Sequence, residues 1–154
     1  MRLRPIRRGD VAPLSTWLPA TGAQIGCDRW SDASALDAAI AQRHVLVGDE
    51  DGARALLEYE TDVPERGAAL VRFMAVAPDR RRLGAGGRTA LALERRLARS
   101  TSKIYVHLPE RLGLALYFWL RLGYRPLTQR AWPVAADGAF ATWMVRELRK
   151  TIDL

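Results

Sequence analysis

The chain has 154 residues, 49% of them hydrophobic, a size and apolar content typical of one compact domain, so we expect a single domain over residues 1–154. A formal net charge of +7 favours a polyanionic partner, such as nucleic acid, an acidic membrane surface or a phosphorylated cofactor. The single cysteine, Cys27, excludes an intrachain disulfide and a cysteine-rich metal site, and no apolar run approaches the roughly 20 residues of a membrane span. We therefore expect a cytoplasmic protein with no metal and no membrane partner.

The first half of the chain predicts one strand, two helices and a three-stranded meander. The segment "RLRPI" is typical of a short strand, and Asp10 can cap a helix whose first turn tolerates Pro13. The segment "SDASALDAAIAQ" predicts a second helix with Ser31 or Asp32 as its cap. Three strand candidates follow, "HVLVGDE", "ARALLEYETD" and "AALVRFMAVAP".

The second half predicts two more helices and three more strands. The third helix begins near Gly84, and its apolar positions recur at helical spacing: Gly86, Ala90, Leu93 and Leu97. The segment "KIYVHLP" predicts a fifth strand, and a fourth helix from about Arg111 to Leu122 should stop at Gly123. The segments "YRPLTQRAW" and "FATWMVREL" predict the last two strands. Seven strands and four helices indicate an α/β (α+β) chain.

The loop between the fourth strand and the third helix, "APDRRRLGAGGR", has the features of an anion-binding site. The free N–H groups of a helix's first turn and the helix dipole attract anions, and glycines let a phosphate approach the backbone closely. The loop is not a P-loop, because no Gly-Lys-Ser/Thr is present. It is not a dinucleotide fingerprint either, because the third glycine would fall at Thr89.

The spacing Arg-x-x-Gly-x-Gly at Arg81, Gly84 and Gly86, preceded by Val-x-Pro at 76–78, resembles the acetyl-CoA loop of the GNAT superfamily of N-acyltransferases. A second family motif is approached by Ala115, Phe118, Trp119, Gly123 and Tyr124. The order of the predicted elements is similar to that of the family over nearly the whole chain. The resemblance implies the GNAT acyltransferase fold, a mixed and mostly antiparallel seven-stranded sheet flanked by four helices.

The resemblance also implies where acetyl-CoA, the co-substrate, binds. Its pantetheine would pair with the backbone of the fourth strand, its pyrophosphate would lie on the loop amides, and the loop arginines would add charge-assisted contacts. The coenzyme-binding residues so implied are Met74, Ala75, Val76, Arg81, Arg82, Leu83, Gly84, Ala85, Gly86, Gly87 and Arg88. A tight strand-to-helix turn with solvated arginines is the alternative interpretation.

Acyl transfer in this family is direct attack of an amine on the thioester, which needs a proton acceptor and an oxyanion donor. By resemblance, the oxyanion donor is a backbone amide near Val76. His107 on the fifth strand is the candidate base, since histidine has a reference pKa of about 6.5. Ribosomal-protein-type N-terminal acetyltransferases resemble this segment most closely and place a Glu there. An ordinary strand histidine is the alternative.

Carboxylates on the third strand compete for the catalytic role. Glu58, Glu60 and Asp62 alternate onto one face, where they could anchor a cationic amine or relay its proton. The alternative, which such an alternation more often indicates, is the solvated face of an antiparallel strand. We expect His44 to have a structural role.

The sequence departs from the family at two positions. Trp119 stands where the family has the Tyr that protonates the thiolate, and an indole N–H cannot serve as that acid. Tyr117 does not replace it, because two residues on a helix are about 200° apart. Leu112 replaces the family's Asn. These departures keep open a catalytically silent acyl-CoA-binding domain.

The resemblance implies an N-acetyltransferase that transfers the acetyl group of acetyl-CoA to a primary amine, either a small molecule or a protein N-terminus. Four tryptophans belong to the segments expected to set the acceptor: Trp17, Trp30, Trp132 and Trp143. A basic nucleic-acid-binding protein is the weaker alternative, since the arginines concentrate around the glycine loop and do not interleave with aromatic residues along a strand. A homodimer is left open.

Overall fold

The computed structural model describes residues 1–109, 113–127 and 141–148. The strands of this part are β1 (Arg2–Pro5), β2 (Val45–Asp49), β3 (Ala53–Thr61), β4 (Ala68–Val76), β5 (Lys103–Pro109), β6 (Arg125–Pro126) and β7 (Ala141–Glu147). The α-helices are α1 (Val11–Ser15), α2 (Leu18–Ile25), α3 (Ala33–Ala39), α4 (Ala85–Leu97) and α5 (Gly113–Arg121). Short 3-10 turns precede α1 at Arg8–Asp10 and follow β4 at Pro78–Arg80.

The strands form one seven-stranded sheet in the order β1-β2-β3-β4-β5-β7-β6. The β1–β2, β2–β3, β5–β7 and β6–β7 pairs are antiparallel, whereas β4 and β5 are parallel, with Ala68 opposite Lys103 and Val71 opposite Val106. The predicted mixed and mostly antiparallel seven-stranded sheet is confirmed. Among the described residues, none of the helices has the length and apolar composition needed to cross a membrane.

The helix predicted after Asp10 is two short helices in the structure. Pro19 lies in the first turn of α2, and Trp17 precedes that helix in a non-helical conformation with φ −128°. A proline has no backbone N–H to bond the carbonyl four residues earlier, and its ring collides with that carbonyl. One continuous helix through Pro19 would meet both penalties, so the chain ends α1 and starts again at Leu18.

The predicted ends of two other helices agree with the structure. Of the two cap candidates, Asp32 caps α3, where its side chain accepts a hydrogen bond of 2.9 Å from the backbone N–H of Ser34. Gly123 ends the turn after α5 with φ +92°, and its N–H donates to the Leu120 carbonyl at 3.0 Å. Glycine has no Cβ to oppose this left-handed conformation.

The alignment of β3 with β4 shifts by one residue between the two ends of their hairpin. The N–H of Asp62 donates to the Ala68 carbonyl, and the N–H of Ala77 donates to the Arg54 carbonyl. The β3 side spans eight residue steps between these bonds and the β4 side spans nine. The β4 side therefore carries one extra residue, a bulge of the kind common next to functional sites.

The chain divides into two compact units, one of residues 1–59 and 73–95 and the other of residues 60–72 and 96–154. Helices and strands of the first unit share one hydrophobic core: Ile6, Leu14, Trp17, Leu18, Trp30, Leu36, Ala39, Val45, Val47, Ala53, Leu56, Phe73, Ala75 and Ala77. In the second unit, Ala68, Leu70 and Tyr105 form a smaller cluster. A single domain over residues 1–154 stays a prediction.

A buried arginine holds the N-terminal end of the first unit together. The two terminal nitrogens of Arg4 donate to the Asp10 carboxylate at 2.7 and 2.8 Å, and its Nε donates to Asp49 at 2.7 Å. Arg4 and Asp10 are both more than 90% buried. The hydrogen bond from Arg4 lowers the pKa of the Asp10 carboxyl, and the same bond raises the pKa of Arg4.

We predict that Asp10→Asn lowers the free energy of unfolding at pH 7 by roughly 2 kcal/mol, because a buried charge-assisted pair is broken. The carboxyl has a lower pKa in the folded chain than in the unfolded chain, so its contribution is present above the unfolded value and disappears as pH falls through the folded one. Urea unfolding of wild type and variant should therefore converge in acid.

The control is Asp37→Asn, which changes an exposed carboxylate on α3 and should alter stability by less than about 0.5 kcal/mol. A stability difference between wild type and Asp10→Asn that stays constant between pH 7 and strong acid would contradict the assigned pairing.

Candidate active site

The chain turns sharply between β4 and α4. β4 ends at Val76, the 3-10 turn follows, and α4 begins at Ala85. Within this loop Arg82 has φ +65° and Gly84 has φ +75°, both in the left-handed region. Glycine adopts that region without strain, whereas a left-handed L-residue such as Arg82 costs roughly 1–2 kcal/mol. The predicted strand, arginine loop and helix are thus present in the order expected.

The first turn of α4 presents backbone donors with no helical acceptor. The first helical hydrogen bond of α4 runs from the N–H of Arg88 to the Gly84 carbonyl at 3.0 Å. By helix geometry, the N–H groups of Ala85, Gly86 and Gly87 precede this bond and have no carbonyl in the helix to bind. The first turn contains no acidic residue, and the 13-residue helix adds the positive end of its dipole. This end of α4 can bind an anion.

Arg81 is hydrogen-bonded to protein oxygens. Its Nη2 donates to Thr21 Oγ1 at 2.8 Å and its Nη1 to Gln24 Oε1 at 3.1 Å, both on α2. Its Nε donates to the Val76 carbonyl at 3.3 Å. The guanidinium group therefore joins the end of β4, the loop and α2.

Arg88 is also bound to the protein. Its Nη1 donates to the Leu83 carbonyl at 2.6 Å, and its Nη2 and Nε donate to the two oxygens of Glu50 at 2.5 and 3.2 Å. The hydrogen bond from Arg88 lowers the pKa of the Glu50 carboxyl. The pair is exposed, so it contributes little stability, but it offsets the positive charge of Arg88.

The other two loop arginines are less engaged. Arg80 lies 3.8 Å from the Asp79 carboxylate. Arg82 is exposed, and within the part of the chain that the structure describes its side chain makes neither a hydrogen bond nor an ion pair. The loop arginines therefore differ in their contacts: Arg81 and Arg88 are hydrogen-bonded to protein oxygens, whereas Arg80 and Arg82 are less engaged.

Glu58 is the buried carboxylate of β3. It is 8% exposed and forms a two-point ion pair with Arg29, with nitrogen–oxygen distances of 2.7 and 2.8 Å. The Arg29 guanidinium also lies 5.0 Å from the ring centre of Trp30. The interpretation of this strand face as solvated is wrong for Glu58. A carboxylate at a half-buried or buried position needs a paired cation, and Arg29 supplies it.

The two other carboxylates of this series have separate partners. Glu60, whose side chain is 44% exposed, pairs with Arg72 of β4. Asp62 has φ +59° and accepts a hydrogen bond of 2.8 Å from the Gly67 N–H, so it closes the β3–β4 hairpin. Asp62 is thereby a turn residue.

His107 lies half-buried on β5, directly opposite Trp143 of β7 in the antiparallel register. The two ring centres are 4.8 Å apart. On the same strand Tyr105 donates its hydroxyl to Glu65 at 2.7 Å, and Lys103 pairs with that carboxylate at 3.2 Å. His44 packs edge-on against Tyr59 with ring centres 5.0 Å apart, and its structural role stays a prediction.

Trp119 occupies a core position on α5. It is 5% exposed, and its ring lies edge-on to Tyr124 with centres 4.7 Å apart. Tyr117 is 61% exposed and contacts Arg121, so it faces away from Trp119 as predicted. Leu112 and Trp132 lie outside the described residues. Of the other tryptophans, Trp17 and Trp30 are buried in the first unit's core, and Trp143 is half-buried.

Sequence reasoning missed the residues that fix the charged groups: Thr21, Gln24, Arg29 and Glu50. Thr21 and Gln24 are 60 and 57 positions from Arg81 in the sequence. No periodicity or local motif relates residues so far apart, so no signal in a single sequence could have paired them. Among the described residues, no group of three or more His, Cys, Asp or Glu side chains could hold a metal ion.

Acetyltransferases are among the solved structures with the same fold. N-acetylglutamate synthase from Neisseria gonorrhoeae, complexed with coenzyme A and N-acetyl-glutamate, matches with TM-score 0.74 and 15% identity over 96% of this chain and 35% of its own. A GNAT-family acetyltransferase from Staphylococcus aureus matches with TM-score 0.69 and 12% identity over 96% of this chain and 99% of its own.

The ribosomal-protein-S18-alanine N-acetyltransferase from Escherichia coli matches with TM-score 0.63 and 16% identity over 99% of this chain and 97% of its own. No family model and no curated protein matches the sequence. At these identities the structural likeness shows the fold, and the chain has the GNAT acetyltransferase fold predicted from its motifs.

We predict that Gly84→Ala lowers the free energy of unfolding by roughly 1–2 kcal/mol, because an L-residue at φ +75° is strained. The added Cβ would also lie 3.2 Å from Arg88 Nη1. Gly84→Asn should lose less, since asparagine tolerates the left-handed region better. Urea unfolding measures both.

Gly9→Ala is the matched control, because a Cβ there would have no atom within 4 Å and the backbone is not left-handed. It should leave stability nearly unchanged or raise it slightly. Equal losses at Gly9 and Gly84 would refute the conformational explanation.

Proposed function

We propose that this chain is an acetyl-CoA-dependent N-acetyltransferase that transfers an acetyl group to a primary amine by direct attack on the thioester. The observation that carries the proposal is the first turn of α4, where three consecutive backbone N–H groups have no helical acceptor and the turn itself contains no acidic residue. The acetyltransferase fold and the coenzyme A bound to the gonococcal enzyme of that fold support the choice of ligand.

The residues of the loop suit the anionic part of coenzyme A. Gly86 and Gly87 have no side chain to keep a phosphate from the backbone amides, and neighbouring arginines make the region positive. The proposed binding set remains residues 74–76 of β4 together with residues 81–88 of the loop. Acetyl-CoA supplies the acetyl group as an activated thioester, and a backbone amide near Val76 is proposed to stabilise charge on its carbonyl oxygen.

His107 is proposed as the general base that removes the amine proton. A neutral imidazole accepts a proton near neutral pH, which suits this step. Glu58 and Glu60 remain the alternative bases. Each is already ion-paired with an arginine, Arg29 on Glu58 and Arg72 on Glu60.

A catalytically silent acyl-CoA-binding domain is the second candidate, and Trp119 favours it. The residue fills a core position where the family has an acid, so no replacement acid is evident on that face of α5 within the described residues. A thiol with a reference pKa of about 8.5 is nevertheless a fairly good leaving group, and water can protonate the thiolate. We therefore propose that the reaction proceeds without a protein acid at this position.

The acceptor is proposed to be a small-molecule amine or a protein N-terminus. Among the neighbours of the same fold is an enzyme that acetylates the alanine of ribosomal protein S18. Short peptides with a free N-terminal alanine are thus the first acceptors to test, followed by a panel of small amines. A cytoplasmic location and a homodimer stay predictions, and the nucleic-acid-binding alternative would show as a salt-dependent gel shift.

We predict that Gly86→Glu weakens acetyl-CoA binding by at least about a hundredfold, because like charges about 4 Å apart repel by several kcal/mol at an effective dielectric constant of about 20. The thermal unfolding temperature of the free protein should change little, since Glu is a better helix former than Gly. Calorimetric titration with acetyl-CoA measures the affinity.

Gln42→Glu is the charge-matched control, because it also adds one carboxylate at an exposed position. Its acetyl-CoA affinity should stay close to that of wild type. Unchanged affinity in Gly86→Glu would rule out coenzyme binding at the α4 N-terminus.

We predict that His107→Ala lowers the acetylation rate by roughly 10²- to 10⁴-fold while leaving acetyl-CoA affinity almost unchanged, as expected for loss of a general base. The wild-type rate should rise with pH through one apparent pKa that is missing in the variant. His107→Glu should recover part of the activity.

Glu58→Gln and Glu60→Gln are the comparison variants. If either abolishes the rising limb of the pH profile while His107→Ala keeps it, the base is on β3 and the assignment to His107 is wrong. If wild type binds acetyl-CoA but releases no coenzyme A with any amine tested, the silent binding domain is the correct function.

A further inference from the structure

We propose that Arg81 and Arg82, adjacent in the loop, have different tasks: Arg81 positions the loop by tying it to α2, and Arg82 presents the free positive charge that an anionic ligand meets. The family motif includes the first of these arginines, and sequence reasoning gave both the same role. The inference rests on the proposed function only for the identity of the ligand, a pyrophosphate-bearing coenzyme.

Arg81 holds the loop to α2 and to the end of β4 through all three of its side-chain nitrogens. Its three nitrogens reach Thr21, Gln24 and the Val76 carbonyl at 2.8, 3.1 and 3.3 Å. Thr21 is 4% exposed, so its hydroxyl oxygen is held in place by the surrounding core. A planar guanidinium with fixed donors can satisfy acceptors from two elements at once, which a lysine cannot reproduce.

The acceptors of Arg81 are neutral, so the residue keeps its charge, but each of its three nitrogens already donates one hydrogen bond, which uses three of its five N–H groups. To bind a phosphate through two nitrogens at once, Arg81 would have to release at least one of the oxygens of α2 or the Val76 carbonyl. Releasing Thr21 would also leave its buried hydroxyl without this donor. Arg81 therefore acts through the shape of the loop, as a positioning residue, and attracts an anion only at longer range.

Arg82 has the opposite environment. It is exposed, and its side chain has no hydrogen bond or ion pair among the residues that the structure describes. Its neighbours are partly neutralised, since Arg80 lies near Asp79 and Arg88 pairs with Glu50. The left-handed backbone of Arg82, φ +65°, is unfavourable for an L-residue.

The first test changes α2 and leaves every charge of the loop in place. The double variant Thr21→Val/Gln24→Met removes two acceptors of Arg81. If Arg81 ties the loop, this variant should weaken coenzyme A binding about five- to tenfold, as does Arg81→Met, and adding Arg81→Met to it should cause little further loss. Thr21→Ser keeps the hydroxyl oxygen and should bind as wild type does.

The second test separates charge from positioning. Arg82→Met should weaken coenzyme A about tenfold, leave the affinity for pantetheine unchanged, and make coenzyme A binding less sensitive to added salt. The charge-neutral α2 variant should keep the salt sensitivity of wild type. Calorimetry over a series of salt concentrations measures all of these affinities.

Hydrogen exchange of the ligand-free protein tests whether Arg81 holds the loop to α2. Exchange at the amides of residues 79–88 should be faster in Arg81→Met and in the α2 double variant than in wild type or Arg82→Met. Wild-type exchange and wild-type coenzyme A affinity in the α2 double variant would overturn the role of Arg81. Unaltered coenzyme A affinity in Arg82→Met would overturn the role of Arg82.

Failure of the proposed function gives a different result. A wild-type protein with no measurable affinity for coenzyme A would overturn that function and the ligand role of Arg82 together. Faster hydrogen exchange of the loop amides in Arg81→Met and in the α2 double variant would in that case still confirm that Arg81 holds the loop to α2.

Discussion

The turn from β4 into α4 must connect the two elements between Val76 and Ala85, and in the proposed function it must also leave the first amides of α4 open to a ligand. That constraint determines which residues can stand there. Left-handed backbone at Gly84 suits a residue without a Cβ, and small residues at 85–87 keep the amides accessible. The left-handed Arg82 is the exception: its side chain is exposed and, among the residues that the structure describes, has no hydrogen bond or ion pair.

Positive charge is abundant in this chain, but its effect depends on what each arginine contacts. Arg4 is buried and neutralised by Asp10 and Asp49, so it stabilises the fold. Arg29 allows a buried carboxylate on β3, because it covers Glu58 with a two-point ion pair. The net charge of +7 therefore overstates the number of cations available to a ligand.

The residues proposed for the chemistry lie on two strands of the sheet and in different environments. His107 is fixed by the β5–β7 register, which places Trp143 directly opposite it. Glu58 and Glu60 are neighbours on β3, yet one is buried and the other half-exposed, and each has its own arginine. A core tryptophan at 119 distinguishes this chain from the family pattern that its loop resembles, and in the proposed reaction water protonates the leaving thiolate.

The sequence by itself determined the order of the strands, the glycine loop, the stop of the predicted fourth helix before Gly123 and the turn of Tyr117 away from Trp119. Local rules suffice there, because hydrophobic period, glycine and helix spacing act within a few residues. Tertiary structure alone decided that Arg81 binds Thr21 and Gln24, that Arg88 binds Glu50 and that Glu58 is buried beneath Arg29. Those partners are 29 to 60 residues away, and a side chain's hydrogen-bond partner follows from the folded path of the chain, which no local pattern encodes.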